Sequence, residues 1–276
     1  TGDMKVDAHV CTWVVPCRCS NAVLLAITMV CAGLALGDYD PLAPLPGEGH
    51  AAFQDMTCRD EARKRDIPLR VWLPPGTLPK PVVLFSHGLG GNREGSAYLG
   101  EHWGARGYVV VFLQHPGSDD GVWRGQSPVR RFGAMKEAAN GANFMLRVRD
   151  VPAVLDQLAV WNATAGHPLA GCLDLSRVGM SGHSFGAVTT QAVSGQAFLG
   201  KARFTDDRIK AAIAFSPSCP PRGDAASAFG AVAIPWLLMT GTRDTSLIGT
   251  ADVASRLSVY PALPPGNAFE LVLFDA

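Results

Sequence analysis

From about residue 69 onward, the chain alternates short, nearly continuous apolar runs with longer stretches whose apolar residues recur every three or four positions. The runs at 69–73, 82–85, 108–113, 177–180, 211–215, 236–239 and 270–274 have strand length. Most carry almost no polar residue, as expected for strands covered on both faces. Between them, 94–105, 129–147, 151–161, 185–196 and 251–257 have helical length and spacing. Strands alternating with helices make βαβ units, so the pattern predicts an α/β domain: a mostly parallel central sheet with helices on both faces. Ligands of such sheets bind beyond the carboxyl ends of the strands. The residues that follow each run are therefore the ones to inspect.

The N-terminal apolar run differs from the rest. Residues 22–36 follow a stretch whose only charges after Met4 are Lys5, Asp7 and Arg18. That length suits the core of a signal peptide and falls short of the ~20 residues a membrane-spanning helix needs. We expect a secretory signal over 1–37, a Pro- and Gly-rich linker or arm over 38–50, and one domain over 51–276; an uncleaved anchor is the alternative. The mature product would be secreted or periplasmic, with no stable membrane insertion. Cys11, Cys17, Cys19 and Cys31 fall in the removable part, leaving Cys58, Cys172 and Cys219. No pair of these has C-x-x-C spacing, so the expectation is buried thiols, or one disulfide with one thiol left over.

Composition narrows the partners. Lys plus Arg equals Asp plus Glu at 24 each, and 47% of the residues are hydrophobic. The chain can bury a core, and no net field draws it to nucleic acid. We expect a monomer without a metal or cofactor.

The chemistry sits after two of the strands. Residues 177–180 lead into Ser181-Gly182-His183-Ser184-Phe185-Gly186-Ala187 and then a helical stretch. A G-x-S-x-G sequence between strand and helix places its serine on a sharp turn with the hydroxyl exposed, and the two glycines let neighbouring backbone come close. Ser184 is the candidate nucleophile. His183 is read as positioning the turn and touching substrate. Strand 82–85 leads into Ser86-His87-Gly88-Leu89-Gly90-Gly91-Asn92. Acyl transfer needs two N–H donors aimed at the developing oxyanion. Phe185 and Leu89 are the candidates, and His87 is read as a brace for the loop.

Together, Leu84-Phe85-Ser86-His87-Gly88-Leu89-Gly90, Gly107-Tyr108-Val109-Val110-Val111 with His115, Gly182-His183-Ser184-Phe185-Gly186 and Thr240-Gly241-Thr242-Arg243-Asp244 resemble the α/β-hydrolase superfamily. The likeness runs from about residue 65 to the C-terminus. Within the superfamily these residues look most like the platelet-activating-factor acetylhydrolase and dienelactone-hydrolase-like serine esterases, near the cutinase-like polyester hydrolases. Dienelactone hydrolases proper use a cysteine nucleophile, so Ser184 favours the esterase branch. The resemblance implies that Asp244, after the next-to-last strand, is the triad acid; Asp224, Asp252 and Asp275 are weaker candidates. It also puts the triad histidine in the loop after the last strand.

No histidine follows His183 in this sequence. Three readings follow. The sequence is a copy that stops just before the histidine, expected beyond Ala276; or it is a catalytically weak or inactive binding protein of this fold; or an upstream histidine such as His115 serves, against the usual chain order. His115 and Trp123, which follow strand 108–113, are expected at the substrate rim, as is 220–223; the alternatives are a structural hydrogen bond for His115 and core packing for Trp123. The leading expectation is a secreted serine esterase acting on short-chain, platelet-activating-factor-like or polyester substrates. An amidase or peptidase with the same triad is the further alternative.

Overall fold

The computed structural model describes residues 52–76, 78–198 and 203–276; the expected signal and linker lie outside the described residues. In chain order the elements are β1 (Ala52–Asp60), β2 (Arg65–Leu73), β3 (Lys80–Ser86), α1 (Ala97–Ala105), β4 (Val109–Leu113), α2 (Pro128–Ala138), α3 (Gly141–Ala163), β5 (Leu173–His183), α4 (Phe185–Val193), β6 (Ile209–Phe215), α5 (Ala225–Phe229), β7 (Trp236–Gly241), α6 (Val253–Leu257) and β8 (Ala268–Leu273). Each of the seven apolar runs overlaps a strand. The strands form one sheet in the order β1-β2-β4-β3-β5-β6-β7-β8. β2 pairs antiparallel with both β1 and β4, and every pairing from β4 through β8 is parallel.

β4 shows why its run is unbroken. Side chains alternate across a strand, and here Val109, Val111 and Leu113 join one core while Val110 and Phe112 join another. The first core is closed by Val148, Val151, Val154, Leu155 and Leu158 of α3, an apolar stripe at helical spacing. The second holds Trp72, Phe85 and Phe112, with Ala97, Leu99 and Trp103 of α1 packed against it. The sheet is thus apolar on both sides because helices cover both.

Two boundaries differ from expectation. β1 has no counterpart among the apolar runs: its sequence is largely polar and of its nine residues Cys58 alone is buried. It is held as an edge strand by its ladder to β2 and by the bidentate pair of Arg70 with Asp55, at 2.8 and 2.9 Å. The helices expected at 129–147 and 151–161 are instead divided at Asn140, whose side chain caps α3 by accepting from the Asn143 amide at 2.8 Å. α3 then runs on through Pro152.

Cys58, Cys172 and Cys219 are free thiols, so no disulfide joins them. Burial pushes the Cys58 thiol up to about 11. Asn162, in the sequence Asn162-Ala163-Thr164, uses its amide to clasp the Leu173 backbone, donating at 2.9 Å and accepting at 3.0 Å. Among the described residues, no helix is long and apolar enough to cross a membrane.

Candidate active site

β5 ends at His183 and α4 begins at Phe185, so Ser184 alone turns the chain from strand to helix. It does so at φ 55° and ψ −115°, a backbone state that costs a residue with a Cβ about 1–3 kcal/mol. The surroundings hold it there. The Ser184 amide donates to Phe215 O at 2.9 Å, and its carbonyl accepts from the Val188 amide at 3.1 Å. The flanking glycines are required by close approach. A Cβ on Gly182 would meet the Gly186 carbonyl and Thr190 Oγ1, and one on Gly186 would strike the Ser86 carbonyl. Backbone of β3 and of α4 therefore touch, which brings the loop after β3 beside Ser184.

In that loop the Gly90 amide is spent on Ser118 O at 2.9 Å and the Gly91 amide on Gly88 O at 3.1 Å. Leu89, between Gly88 and Gly90, lines the same cavity as Ser184 and Phe185. The Phe185 amide is the first of α4 and belongs to the group of N–H donors that an α-helix leaves without an internal partner. The cavity measures about 1060 Å³. Gly88, His183, Ser216, Asp244 and Arg256 also line it, with apolar surface from Met135, Val188, Pro220, Pro221, Leu247 and Ile248.

Asp244 follows β7. Its carboxylate accepts from Thr240 Oγ1 at 2.9 Å and pairs with the Arg256 guanidinium at 3.0 Å. Arg256 is buried and also donates to the carbonyls of Asp244, Ser216 and Pro217, at 2.8, 2.8 and 3.0 Å. Asp224 and Asp252 cap α5 and α6, accepting from the amides of Ser227 and Ser255. Asp275 pairs with Arg243. His183 lies on the cavity surface; desolvation lowers its pKa, opposed by Asp244 and reinforced by Arg256.

Two residues expected at the substrate rim are elsewhere. His115 is fully buried behind the loop: its Nδ1 donates to Asp150 Oδ2 at 2.9 Å, and its Nε2 accepts from Ser86 Oγ at 2.9 Å. It has neither exposure nor a free ring nitrogen with which to meet a substrate or serve as base. Trp123 packs beneath Gly90 and donates from Nε1 to its carbonyl at 2.7 Å. It braces the loop rather than lining the cavity. Both follow from the turn after β4, which folds back beneath the 88–91 segment through Gly90 N–Ser118 O and Asp120 N–Gly91 O.

The buried His115 gives the protein an acid sensitivity. Burial and the nearby Arg147 lower its pKa to about 4, against the pull of Asp150, and His87 is lowered well below 6.5 for related reasons. The unfolded chain therefore takes up protons between pH 6.5 and 4 that the folded chain does not. The associated stability is complete above pH 6.5 and is lost as pH falls toward 4, about 3 kcal/mol at full extent for His115. Urea unfolding across this range should show the slope. His115→Gln should make it shallower while the share from His87 remains, and an unchanged slope in that variant would refute the assignment.

The sequence reading missed Ser86, Arg147, Asp150 and Arg256. Arg147 and Asp150 left a signal, since Arg147 shares a helical face with Val151, Val154 and Leu158. A charge on an apolar face calls for a partner inside the fold.

No protein-family model matches the sequence, and a search of curated proteins finds no match. Solved structures do match in fold. A protein from Klebsiella pneumoniae described as a dienelactone hydrolase is 16% identical, with a TM-score of 0.58 over 82% of this chain and 86% of its own. A dienelactone hydrolase from Anabaena variabilis is also 16% identical, with a TM-score of 0.55 over 83% of this chain and 88% of its own. A cold-adapted esterase from an Arctic intertidal metagenomic library shares 16% identity and a TM-score of 0.53, over 80% and 84%. With the strand order above, these likenesses give the chain the α/β-hydrolase fold that the sequence resemblance implied.

Proposed function

We propose that the protein is a secreted serine hydrolase of carboxylic esters that works through an acyl-enzyme on Ser184. The observation that carries this reading is the strained Ser184 turn opening onto the cavity that Leu89, Phe185 and Asp244 also line. Ser184 Oγ attacks the ester carbonyl, and the resulting oxyanion accepts from the amides of Phe185 and Leu89. A base takes the serine proton and returns it to the departing alcohol; water then attacks the acyl-enzyme by the same route. Asp244 orients that base. A histidine delivered from beyond the end of β8 fits the acid's position, because the Ala276 carbonyl accepts from the Arg243 amide at 2.7 Å, one residue before Asp244. The broad cavity with apolar walls suits short-chain acyl, platelet-activating-factor-like or polyester substrates, and His183 is placed to touch them. The apolar run at 22–36 supports export.

The test is covalent labelling with a fluorophosphonate, mapped by peptide mass spectrometry. Modification at Ser184 is expected; labelling spread over other serines with Ser184 untouched would end the proposal.

One observation favours a second reading, a binding protein of this fold with little turnover. The Asp244 carboxylate is already held by Arg256 and Thr240.

A further inference from the structure

The Arg147 guanidinium is the most costly buried group that the hydrolytic scheme leaves unused. Its side chain is fully buried. Its hydrogen-bond acceptors are all neutral: Ser118 Oγ and His87 O at 2.7 Å, Gly88 O at 3.3 Å, and Ser118 O and Ser86 Oγ at 3.4 Å. Arg147 Nη2 also lies 3.2 Å from His87 Nδ1, which carries the ring proton and so is a neighbour rather than an acceptor. Asp150 and Asp119 balance its charge only at longer range. Desolvating a cation costs several kcal/mol, and an apolar side chain would fill the same space without that cost.

The acceptors show what the guanidinium does. Two of them are the successive carbonyls of His87 and Gly88, which lead into Leu89. The described chain has no cis peptide bond, and in a trans peptide the C=O and the following N–H point in opposite directions. Drawing the Gly88 carbonyl onto Arg147 therefore turns the Leu89 N–H away from it. The guanidinium also lies over the Phe185 ring, 4.5 Å from its centroid, so one side chain touches the carbonyl of the peptide that carries the Leu89 N–H and the side chain of the other candidate donor. His87 reinforces the arrangement. Its Nε2 accepts from the His115 amide at 3.1 Å, which leaves Nδ1 as the protonated nitrogen, donating to Gly88 O at 2.6 Å. The His115–Asp150 pair holds the floor beneath, with Asp150 on the same face of α3 as Arg147.

We propose that Arg147 is a positioning residue of the oxyanion hole, fixing the Leu89 amide and the start of α4 toward the ester carbonyl above Ser184. The inference rests on the reading of this cavity as an ester hydrolase site.

The test uses the full chain and its Arg147→Met, Arg147→Lys and Ser118→Ala variants. Each is titrated for reactive Ser184, then assayed with p-nitrophenyl acetate and with a trifluoromethyl ketone that binds as an oxyanion. In Arg147→Met, kcat per titrated site is expected to fall about 10- to 100-fold while KM moves less than about twofold, and the ketone's Ki to rise in step with the loss of kcat. Arg147→Lys keeps the charge but not the fork and should fall between it and the parent. Ser118→Ala removes only the Oγ that accepts from Arg147 Nε and donates to His115 O, leaving the guanidinium's other bonds in place, so it reports even if both Arg147 variants fail to fold; a smaller fall in kcat, again matched by Ki, is expected. A merely structural arginine would lower the melting temperature or the fraction of titratable sites and leave kcat per site and Ki unchanged, and that result overturns the proposal. A parent chain no more reactive than Ser184→Ala would overturn the hydrolase reading itself, and this inference with it.

Discussion

In a chain that carries a C-terminal histidine appended after Ala276, Ser184→Ala is expected to lower p-nitrophenyl acetate hydrolysis by at least ~10³-fold, the scale on which serine hydrolases lose turnover when the nucleophile is removed. Alanine keeps the elbow's shape and deletes only the Oγ, so substrate can still bind while no acyl-enzyme forms. Equal rates for parent and variant would show that any turnover comes from elsewhere. Ser184→Gly should be just as inactive yet about 1 kcal/mol more stable, because glycine takes φ 55° without a Cβ clash. Chemical denaturation of the three proteins separates loss of chemistry from loss of structure.

A histidine appended after Ala276 on a short flexible segment is expected to raise ester hydrolysis about 10²- to 10⁴-fold, the usual contribution of a positioned general base. The geometry supports the placement. The Thr242 amide donates to Leu273 O at 3.0 Å, the Asp275 amide to Thr242 Oγ1 at 2.9 Å, and the Arg243 amide to Ala276 O at 2.7 Å. The end of β8 is thereby laced to the loop that presents Asp244. An imidazole reaching Asp244 from there has to share the carboxylate with Arg256, whose bonds to the carbonyls of Asp244, Ser216 and Pro217 keep it in place as a support. Comparing the extended protein with an identical extension that carries glutamine in place of the histidine isolates the base. If the two hydrolyse at one rate, Asp244 is not a triad acid.

Much of the fold could be read from the sequence because a parallel sheet covered on both faces writes its strands as unbroken apolar runs, and 109–113 is the plainest case. β1 escaped notice because an edge strand with one buried side chain leaves no such mark. Ser184 was legible because the turn needs a glycine on either side and so writes its requirement in five adjacent residues, even though the contact that demands Gly186 is with Ser86, far away in the chain. Misplacing His115 and Trp123 has the opposite cause. Position after a strand says that a residue is near the site, but not on which side of the loop it falls. That is settled by the return of 118–120 beneath Gly90 and Gly91, a contact between segments well separated in the chain. The apolar face around Arg147 shows that the residue is buried but not what it holds, and the partners of Arg147 and Arg256 are largely backbone carbonyls, which have no sequence signature.

The strand order also sets a timetable for assembly. β3 pairs with β4 on one side and with β5 on the other, so during synthesis an apolar edge of β3 stays open while the chain from β4 to β5 is made. Chains that emerge N-terminus first are exposed to mispairing for as long as such an edge waits. The insertion of β5 that closes it also swings Gly186 against Ser86 and sets Ser184 beside the loop after β3. The pairing that closes this edge thus also builds the reactive centre, and a chain in which β5 is unpaired does not hold Ser184 beside the loop after β3.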